Sequence, residues 1–458
     1  MSWLKRVLNI LKREPETWLA YLHGQQFDKL NYLQETKARY SGWDLRVAIW
    51  FYSLIKGARF KSNSCYTQCE YLIFVGTENQ KKALDSTVLA LRNHGLSVFC
   101  VAPRKILNEE EIESESYKVL EYGVLDVLKS VLLSLLRIKE LRKQLKNKSN
   151  LLRKNWLDVF LSTYNFSVYF DALLVKVSPR IVVVSNDHST PNKTLIALVR
   201  DRKDMKVAYM QHASVSSLFP ALNFDYAFLD GESALNVYRQ CEDNRPVTTP
   251  LLKSRRVFLT GQKKDLGAGF TNIEDRKMIG IALNALDSIE GVKALIITLT
   301  NRGMLLKLRW HPGLPVKTAE LLKSNLMGNK IEFSNPRIES LSEFFSSINC
   351  MIAGNSSIHL EAALSNVVPI YYEMSEHTLD DYYGYIKNGV AINAESVIDL
   401  ANIIRRVESN DLKINKEAIQ FYSSTFGTEW EGREGELVSE TLLSLHKDLD
   451  PPVSAINL

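Results

Sequence analysis

Short apolar runs alternate with helical patterns along two stretches of the chain. In the first stretch, YLIFVG (Tyr71–Gly76) is followed by the helical pattern KKALDSTVLALRNHG and then by the apolar run LSVFCVAP. The alternation resumes at RIVVVSND (Arg180–Asp187) and continues through KVAYMQH to DYAFLDG. A strand, a helix and a strand within about 30 residues are typical of a parallel, doubly wound sheet. These segments predict a first α/β domain.

A second alternating block begins near Arg255. The segments RRVFLTG, LLKLRWHPG and KIEFSN each predict a strand, and IEDRKMIGIALNALDSIEG predicts a helix. The segment MIAGNSSIHLEAALSNVVPIYYE (Met351–Glu373) then predicts a strand, a loop, a helix and a second strand. Residues 241–254 carry two prolines and a Thr pair, which is typical of an interdomain linker.

These patterns predict the domain organisation of an α/β protein. The first domain covers residues 1–245 and includes a basic helical insert at about 123–167. The second covers 255–425, and a helical tail at 426–458 is expected to cross back to the first domain. With 458 residues, 45% hydrophobic and 24% charged, the chain has room for two cores and the composition of a soluble globular protein.

Charge and cysteine content exclude some classes of protein. A net charge of +5 is mild for this length and no nucleic-acid module is recognisable, so we expect no nucleic-acid partner. Five scattered cysteines predict no disulfide framework and a reducing, cytoplasmic compartment. The longest apolar zone, Val127–Ile138, falls far short of the roughly 20 residues that a membrane-spanning helix needs.

Residues with acid–base chemistry follow predicted strands of the first block. Asp187 and His188 come after Val184, and His212 comes after Met210. Ligands of open α/β sheets bind beyond the carboxyl ends of the strands. Each of these side chains is therefore either a polar cap of a strand end or a general base, and Asp187 could also orient a histidine. The sequence leaves open which of the three is the base.

A second polar set lies in the second block and suits a nucleotide. Ser356 and Ser357 stand where a helix should begin, so they either cap the helix or bind an oxyanion such as phosphate. Glu361, one turn further on, either interacts with the helix dipole or bridges the hydroxyls of a ribose. His311, in RWHPG, either places an imidazole against a phosphate or is a loop histidine beside an ordinary Pro-Gly turn. The predicted donor-binding residues are Gly261, Arg309, His311, Pro312, Asn355, Ser356, Ser357 and Glu361.

The two α/β domains, the HP pair His311-Pro312 and the pair Ser356-Ser357 resemble the GT-B glycosyltransferases of bacterial capsule and lipopolysaccharide assembly. The pairs look most like the HP and S/T motifs of sialyltransferases, polysialyltransferases and Kdo transferases, which use CMP-activated ulosonic acids. The resemblance implies two doubly wound Rossmann-like domains facing across a cleft. It also implies a base in the first domain and a donor nucleotide bound by the two motifs. The acidic D/E-D/E-G motif of the family has no clean counterpart, since Leu229-Asp230-Gly231 keeps only its second half.

Two other resemblances leave the reaction open. YMQHAS looks like the His-Gly loop of CDP-glycerol and polyol-phosphate transferases, with Ala213 in place of the glycine. GNSSIHLEAA is similar to the nucleotide loop of UDP-sugar 2-epimerases, in which the last glutamate meets the ribose. The alternatives are therefore a CDP-linked polyol-phosphate transferase, an epimerase-like enzyme, and a non-catalytic GT-B scaffold.

The expected activity is that of an inverting, metal-independent glycosyltransferase with no cofactor. It would move a sugar such as sialic acid or Kdo from a CMP-linked nucleotide-sugar donor. The acceptor would be a hydroxyl of an oligosaccharide or a lipid-linked glycan. The charge of the leaving nucleotide can be met by helix N-termini, hydroxyls and imidazole without a metal.

Residues 124–154 begin as an apolar helical pattern and end with many Lys and Arg residues. Such a segment suits the anionic inner surface of a membrane, or else forms a solvated hairpin packed on the first domain. The N-terminal segment repeats the theme with Trp3, Lys5 and Arg6. We therefore expect a cytoplasmic protein that is peripheral on the inner face of the cytoplasmic membrane.

Overall fold

The structure, a computed structural model, forms two units, and the chain passes from one unit to the other several times. It describes residues 3–19, 21, 42–59, 67–114, 116–146, 150–263, 266, 276–284, 287–311, 314, 316–326, 331–375 and 381–458. The first unit comprises Met1–Leu229, Ala234–Lys263 and Glu434–Leu458, and the second comprises Asp230–Ser233 and Lys264–Arg433.

Helices and short parallel strands make up both units. The described helices are α1 (Trp3–Arg13), α2 (Trp43–Gly57), α3 (Glu78–Asn93), α4 (Glu109–Glu113), α5 (Val124–Lys146), α6 (Asn150–Val177), α7 (Thr190–Arg200), α8 (Glu232–Gln240), α9 (Ile289–Asn301), α10 (Val316–Leu326), α11 (Leu341–Ser346), α12 (Ile358–Leu364), α13 (Val397–Glu408), α14 (Lys416–Tyr422) and α15 (Glu434–His446). The described strands are β1 (Ala58–Arg59), β2 (Tyr71–Phe74), β3 (Val98–Ala102), β4 (Lys118–Val119), β5 (Tyr122–Gly123), β6 (Ile181–Val184), β7 (Lys206–Met210), β8 (Tyr226–Leu229), β9 (Arg256–Leu259), β10 (Met278–Ala282), β11 (Leu306–Arg309), β12 (Ile331–Ser334), β13 (Ile348–Ala353), β14 (Val368–Tyr371), β15 (Ile392–Asn393) and β16 (Ile456–Asn457).

The larger sheet of the first unit has the order β16-β9-β8-β7-β6-β2-β3-β4 and is parallel except for β16. Along β2, Leu72 and Phe74 enter one hydrophobic cluster while Tyr71 and Ile73 enter another. The sheet is therefore buried on both faces, which is why its strands are continuous apolar runs. From β2 the chain builds outward to β3 and β4, and then returns to add β6 on the other side. The β2/β6 boundary is thus the point where the strand order reverses.

A helical layer belongs to the first unit as well. The predicted basic insert at 123–167 forms α5 and most of α6, which pack together with α2 through a cluster that includes Leu54, Leu133 and Tyr164. Inside this layer, Arg137 and Glu16 form a buried ion pair with a 2.5 Å contact. The Tyr164 hydroxyl donates to the same carboxylate at 3.0 Å.

The end of the chain lies in the first unit. Helix α15 contributes Val438, Leu442 and Leu445 to one of its clusters, and the Tyr71 hydroxyl donates to the Leu442 carbonyl at 3.3 Å. Strand β9 also belongs here, because it pairs with β8 along its length. The sequence pattern predicted that the second domain begins at residue 255. The structure places the change of unit later, after β9.

In its described residues, the second unit forms a parallel sheet of order β12-β11-β10-β13-β14-β15, whose strand order reverses at the β10/β13 boundary. The segment containing β10 was predicted as a helix, and this prediction was wrong. A short apolar run fits a buried strand as well as a helix, and only pairing decides. Gly280 lets β10 pack closely, because a Cβ there would lie 2.4 Å from the Ile348 side chain.

The α/β class with doubly wound parallel sheets is confirmed for both units. Among the cysteines, Cys69, Cys100, Cys241 and Cys350 are free and buried, while Cys65 lies outside the described residues. Within the described ranges, none of the helices combines the length and the apolar character that a bilayer span requires.

Candidate active site

The loop after β6 places Asp187 and His188 at the reversal point of the first sheet. The Asn186 side chain accepts hydrogen bonds from the backbone N–H groups of His188 (2.9 Å) and Ser189 (2.6 Å). These bonds form an Asx turn that leads from β6 towards α7. The residues next to such a reversal point are where open α/β sheets bind ligands.

Asp187 and His188 form a hydrogen-bonded pair. His188 Nδ1 lies 2.6 Å from Asp187 Oδ1, and the ring packs against Phe219 at a centroid distance of 4.9 Å. Asp187 is buried, whereas 31% of the His188 side chain is exposed. A neutral His188 that donates through Nδ1 carries its lone pair on Nε2. Among the described residues Nε2 has no hydrogen-bond partner, so it is able to take a proton from a bound molecule.

The other oxygen of Asp187 is held by tyrosine. The Tyr238 hydroxyl donates to Asp187 Oδ2 at 2.8 Å and lies 2.9 Å from the hydroxyl of Tyr209. Burial alone would raise the pKa of Asp187, but the hydrogen bond and charge of His188 and the charge of Lys193 outweigh it. The pKa of Asp187 is therefore below its usual value, and the carboxylate stays ionised beside the histidine.

Lys193 is a buried amine on α7 whose charge acts on Asp187. Its side chain is about nine-tenths buried, with Nζ 3.9 Å from the centre of the Trp18 ring. Burial lowers the pKa of Lys193 to about 7, although the nearby charge of Asp187 opposes the shift. The sequence pattern did not point to Lys193, Tyr209 or Tyr238. Each sits inside an ordinary helix or strand pattern, and only packing brings them to Asp187.

Two further predicted residues lie in the first unit. His212 is half-buried and follows β7, where the Gln211 side chain donates to the Ala213 carbonyl at 3.0 Å. Gly261, which was predicted to bind the donor, follows β9 with a φ of +72°. Its carbonyl accepts a 2.9 Å hydrogen bond from Lys263 Nζ. Gly261 therefore belongs to a different unit from the other predicted donor-binding residues.

The reversal point of the second sheet carries a close contact between two loops. After β10, the Asn284 N–H donates to Asp287 Oδ2 at 2.7 Å. After β13, Gly354 leaves so little space that a Cβ there would lie 2.9 Å from Asp287 Oδ1. A larger residue at position 354 would have to displace the Asp287 carboxylate. The segment Gly354–Ser357 is thus fixed at the edge where this sheet is expected to bind ligands.

His359 and Ser357 have different roles in this segment. His359 is buried and its Nε2 lies 2.9 Å from the Gly354 carbonyl, and burial lowers its pKa to about 4. The neutral ring therefore donates to the loop and holds it. Ser357 precedes α12 in a helical conformation and its side chain does not cap the helix. Ser356 Oγ accepts from the Ile358 N–H at the long distance of 3.5 Å.

Carboxylates surround this second site. Glu361 is buried on α12. Glu373, after β14, accepts from the Ser375 hydroxyl at 2.6 Å and from the Tyr371 hydroxyl at 2.8 Å. Burial, reinforced by the charge of Glu373, raises the pKa of Asp287 to about 6. The sequence pattern did not point to Asp287 or Glu373, although both are acids that follow a strand. Asp287 was hidden because β10 was interpreted as part of a helix.

The segment RWHPG is divided between two environments. His311 is exposed after β11, and Pro312 lies outside the described residues. Arg309 is buried and its guanidinium donates to the Ser334 hydroxyl (2.7 Å) and the Glu339 carbonyl (3.0 Å). These contacts tie β11 to β12 and to the loop before α11. The Arg309 guanidinium thus makes structural hydrogen bonds within the second unit.

Comparison with known proteins identifies the fold. Neither the protein-family models nor the curated protein sequences contain a match to this chain. Among solved structures, UDP-GlcNAc 2-epimerase from Neisseria meningitidis bound to UDP-GlcNAc aligns with a TM-score of 0.52 and 13% identity, over 82% of this chain and 99% of its own. The S. aureus MnaA–UDP complex gives a TM-score of 0.51 and 12% identity, over 82% and 96%. The glycotransferase of kitacinnamycin gives 0.50 and 8%, over 84% and 100%.

At these identities the likeness establishes the fold alone. The chain has the GT-B type of fold, in which these epimerases and glycosyltransferases are built. The predicted fold class is thereby confirmed.

Proposed function

We propose that the protein is a glycosyltransferase that uses a nucleotide-sugar donor and the Asp187–His188 pair as its general base. The observation that carries the proposal is the 2.6 Å hydrogen bond between His188 Nδ1 and Asp187 at the reversal point of the first sheet. It leaves Nε2 of a partly exposed imidazole available for an acceptor hydroxyl. A base oriented by a carboxylate suits the deprotonation of a hydroxyl near neutral pH.

The proposed reaction is an inverting transfer. His188 Nε2 takes the proton of the acceptor hydroxyl. At the same time the hydroxyl oxygen forms a bond to the anomeric carbon of the donor. The bond from that carbon to the phosphate oxygen breaks, and the nucleotide leaves with the electron pair. Asp187 stays ionised and stabilises the imidazolium that forms, while Tyr238 holds the second carboxylate oxygen.

The donor site of the proposal is the Gly354–Ser357 segment of the second unit. Ser357 supports this choice because its hydroxyl is not used as a helix cap. His311 is exposed after β11, which lies two strands away from β13 in the same sheet, and it supplies an imidazole. The donor we propose is a CMP-activated ulosonic acid such as sialic acid or Kdo. The acceptor is a glycan of capsule or lipopolysaccharide assembly, which follows from the resemblance of the HP and serine pairs.

Thermal-shift titration with CMP, CDP and UDP tests the donor site, since a ligand that binds the native state raises its stability. Stabilisation by CMP with no response to UDP is expected. Ser357→Ala should weaken the response, whereas Ser324→Ala, an exposed serine of α10, should leave it unchanged. An unchanged response of Ser357→Ala overturns the donor-site assignment. A response to UDP alone overturns the CMP-linked donor and favours an epimerase-like enzyme.

Release of CMP from candidate donors in the presence of acceptor glycans tests the reaction. CMP-sialic acid, CMP-Kdo and CDP-glycerol are compared as donors, because both types release CMP while transferring different groups. His188→Gln is expected to lower kcat by roughly 100-fold or more. His94→Gln, at an exposed position after α3, should leave kcat unchanged. Full activity of His188→Gln overturns the assignment of the base, and transfer from CDP-glycerol alone identifies a polyol-phosphate transferase.

A further inference from the structure

Exposed apolar side chains of the first unit are concentrated on α2 and α5. On α2, the exposed fractions are 63% for Trp43, 66% for Tyr52 and 55% for Ile55. On α5, Leu125, Leu128 and Leu135 are each more than 60% exposed. Together the two helices carry more than half of the large hydrophobic residues that are exposed in the described part of the chain. Single exposed apolar residues are ordinary, but a contiguous set marks an interaction surface.

Both helices pack against α6 in the same layer, and each leaves one side exposed. Trp50 of α2 and Leu133 of α5 point into a common buried cluster. The Trp50 ring nitrogen donates to the Asn165 side chain of α6 at 3.0 Å. Strands β1 and β5, which adjoin these helices, pair with each other. We call the exposed side chains of α2 from Trp43 to Ile55 and of α5 from Val124 to Lys143 the α2–α5 face.

The exposed side of α5 is apolar in its first part and positively charged towards its C-terminal end. The exposed residues from Val124 to Leu136 are aliphatic except for Lys129, and the exposed residues that follow are Lys139, Arg142 and Lys143. The two acids of this helix, Asp126 and Glu140, are half-buried. Positions 128, 132, 135, 139 and 142 are spaced by three or four residues, so the basic end continues the same helix face. The stripe therefore runs from apolar to positively charged.

The dimensions and composition of the face match a lipid surface. From Val124 to Leu136 the helix covers about 18 Å, which is too short to span a bilayer and long enough to lie in its interface. Trp and Tyr, as on α2, are favoured at the level of the headgroups. Lysine is depleted in protein–protein interfaces, whereas clustered Lys and Arg bind anionic lipids.

We propose that the α2–α5 face docks the protein onto an anionic lipid bilayer. The apolar side chains of both helices enter the boundary between headgroups and acyl chains. Lys139, Arg142 and Lys143 contact the anionic headgroups. Helix α1, whose basic residues also suggested membrane contact in the sequence, uses two of them in ion pairs within the first unit. Arg6 pairs with Asp171 at 2.5 Å, and Arg13 pairs with Asp201 at 2.8 Å. The proposal does not depend on the transferase activity.

Vesicle flotation of the full chain tests the proposal. Wild-type protein is expected to float with vesicles of phosphatidylglycerol and phosphatidylcholine at low salt, and to bind pure phosphatidylcholine vesicles much more weakly. Leu125→Gln/Leu128→Gln removes two apolar contacts, and Arg142→Gln/Lys143→Gln removes two charges. Each of these two double variants should have a vesicle partition coefficient about tenfold or more below that of wild type. Leu321→Gln/Ile338→Gln, at two exposed apolar positions of the second unit, is the matched control and should float like wild type.

Three results would overturn the proposal. The first is a wild-type protein that does not float at low salt, and the second is binding by the two α5 variants equal to that of wild type. The third is a dimer, seen by light scattering, that Leu125→Gln/Leu128→Gln dissociates while no form binds vesicles. That result would identify a second copy of the chain as the occupant of the face. Near-ultraviolet circular dichroism of each variant checks that its fold is intact.

Discussion

The hydroxyl of Tyr238 donates a 2.8 Å hydrogen bond to the carboxylate oxygen of Asp187 that His188 does not contact. Both oxygens of this buried carboxylate are thereby engaged, one by the imidazole and the other by the phenol. A buried charge is tolerated only when such partners replace water. The pair therefore has a fixed orientation before any substrate binds.

Replacing Tyr238 with Phe tests the importance of this hydrogen bond. The change removes the donor to Asp187 Oδ2 and leaves that buried oxygen without its partner. The free energy of unfolding should fall by about 1–3 kcal/mol, measured by urea denaturation at pH 7. Tyr382→Phe, at an exposed tyrosine of the second unit, should change it by less than about 0.5 kcal/mol. Equal stability of Tyr238→Phe and wild type would show that this hydrogen bond makes no net contribution to the free energy of unfolding.

Replacing Lys193 with Met should stabilise the protein, most strongly at low pH. The pKa of Lys193 is lowered to about 7 in the folded state from an ordinary value of 10.5. Between these values the unfolded chain binds more protons than the folded one, so wild-type stability rises with pH across that window. Below pH 7 the full cost of the buried charge is present. The variant is therefore expected to gain roughly 4 kcal/mol at pH 6, since one pKa unit corresponds to about 1.4 kcal/mol.

Urea denaturation of Lys193→Met and wild type at pH 6 and pH 9 measures this gain. The gain should be clearly smaller at pH 9, because wild-type Lys193 is then mostly neutral. Lys203→Met, at an exposed lysine of the first unit, should show no such pH dependence. A gain that is the same at both pH values would contradict the lowered pKa.

Asp287 should make nucleotide binding depend on pH. Its pKa is raised to about 6 by burial and by the charge of Glu373, so it is ionised at pH 7.5 and largely protonated at pH 5. A negative charge beside the Gly354–Ser357 segment opposes a bound phosphate. A like charge at about 4 Å costs about 1 kcal/mol in water, or roughly a factor of five in affinity. Wild-type protein is therefore expected to bind CMP roughly fivefold more tightly at pH 5 than at pH 7.5.

Isothermal titration calorimetry of Asp287→Asn checks the origin of that effect. Asparagine keeps an acceptor for the Asn284 N–H but carries no charge. The variant should bind at pH 7.5 about as tightly as wild type does at pH 5, with little further change on acidification. If its pH dependence matches that of wild type, a group other than Asp287, such as the phosphate of CMP, is responsible.

Replacing Gly435 with Ala tests the attachment of the C-terminal segment to the first unit. A Cβ at this position would lie 2.5 Å from the Ser86 hydroxyl and 2.7 Å from the Ser86 backbone carbon. Because backbone atoms cannot move aside cheaply, α15 must shift away from α3. The free energy of unfolding should fall by about 1–3 kcal/mol. Glu440→Ala, on the same helix, is the control, and a neutral effect of Gly435→Ala would mean that α15 is held loosely.

The sequence predicted the α/β class because its apolar runs and helical patterns record burial directly. It also located strand ends that carry polar and titratable residues. Asp187, His188, His212 and Ser357 all follow or adjoin the strands expected from the pattern. Two predictions, the helix at β10 and the place of β9 in the second domain, differ from the structure. Both concern short apolar segments. The run in β10 has too few residues to distinguish a strand from a helix, and β9 could have joined either sheet until its pairing with β8 was known.

By itself, then, the sequence determined two parallel sheets and the polar residues at their edges, since period and composition are local properties. The tertiary structure alone decided which partners those residues meet. It joined His188 to Asp187, brought Tyr238 and Lys193 to the same carboxylate from other elements, and engaged Arg309 in structural contacts. It also determined which apolar residues of α2 and α5 remain exposed. Burial and distance between segments far apart in the chain arise only when the sheets and helices pack, which is why no local pattern reveals them.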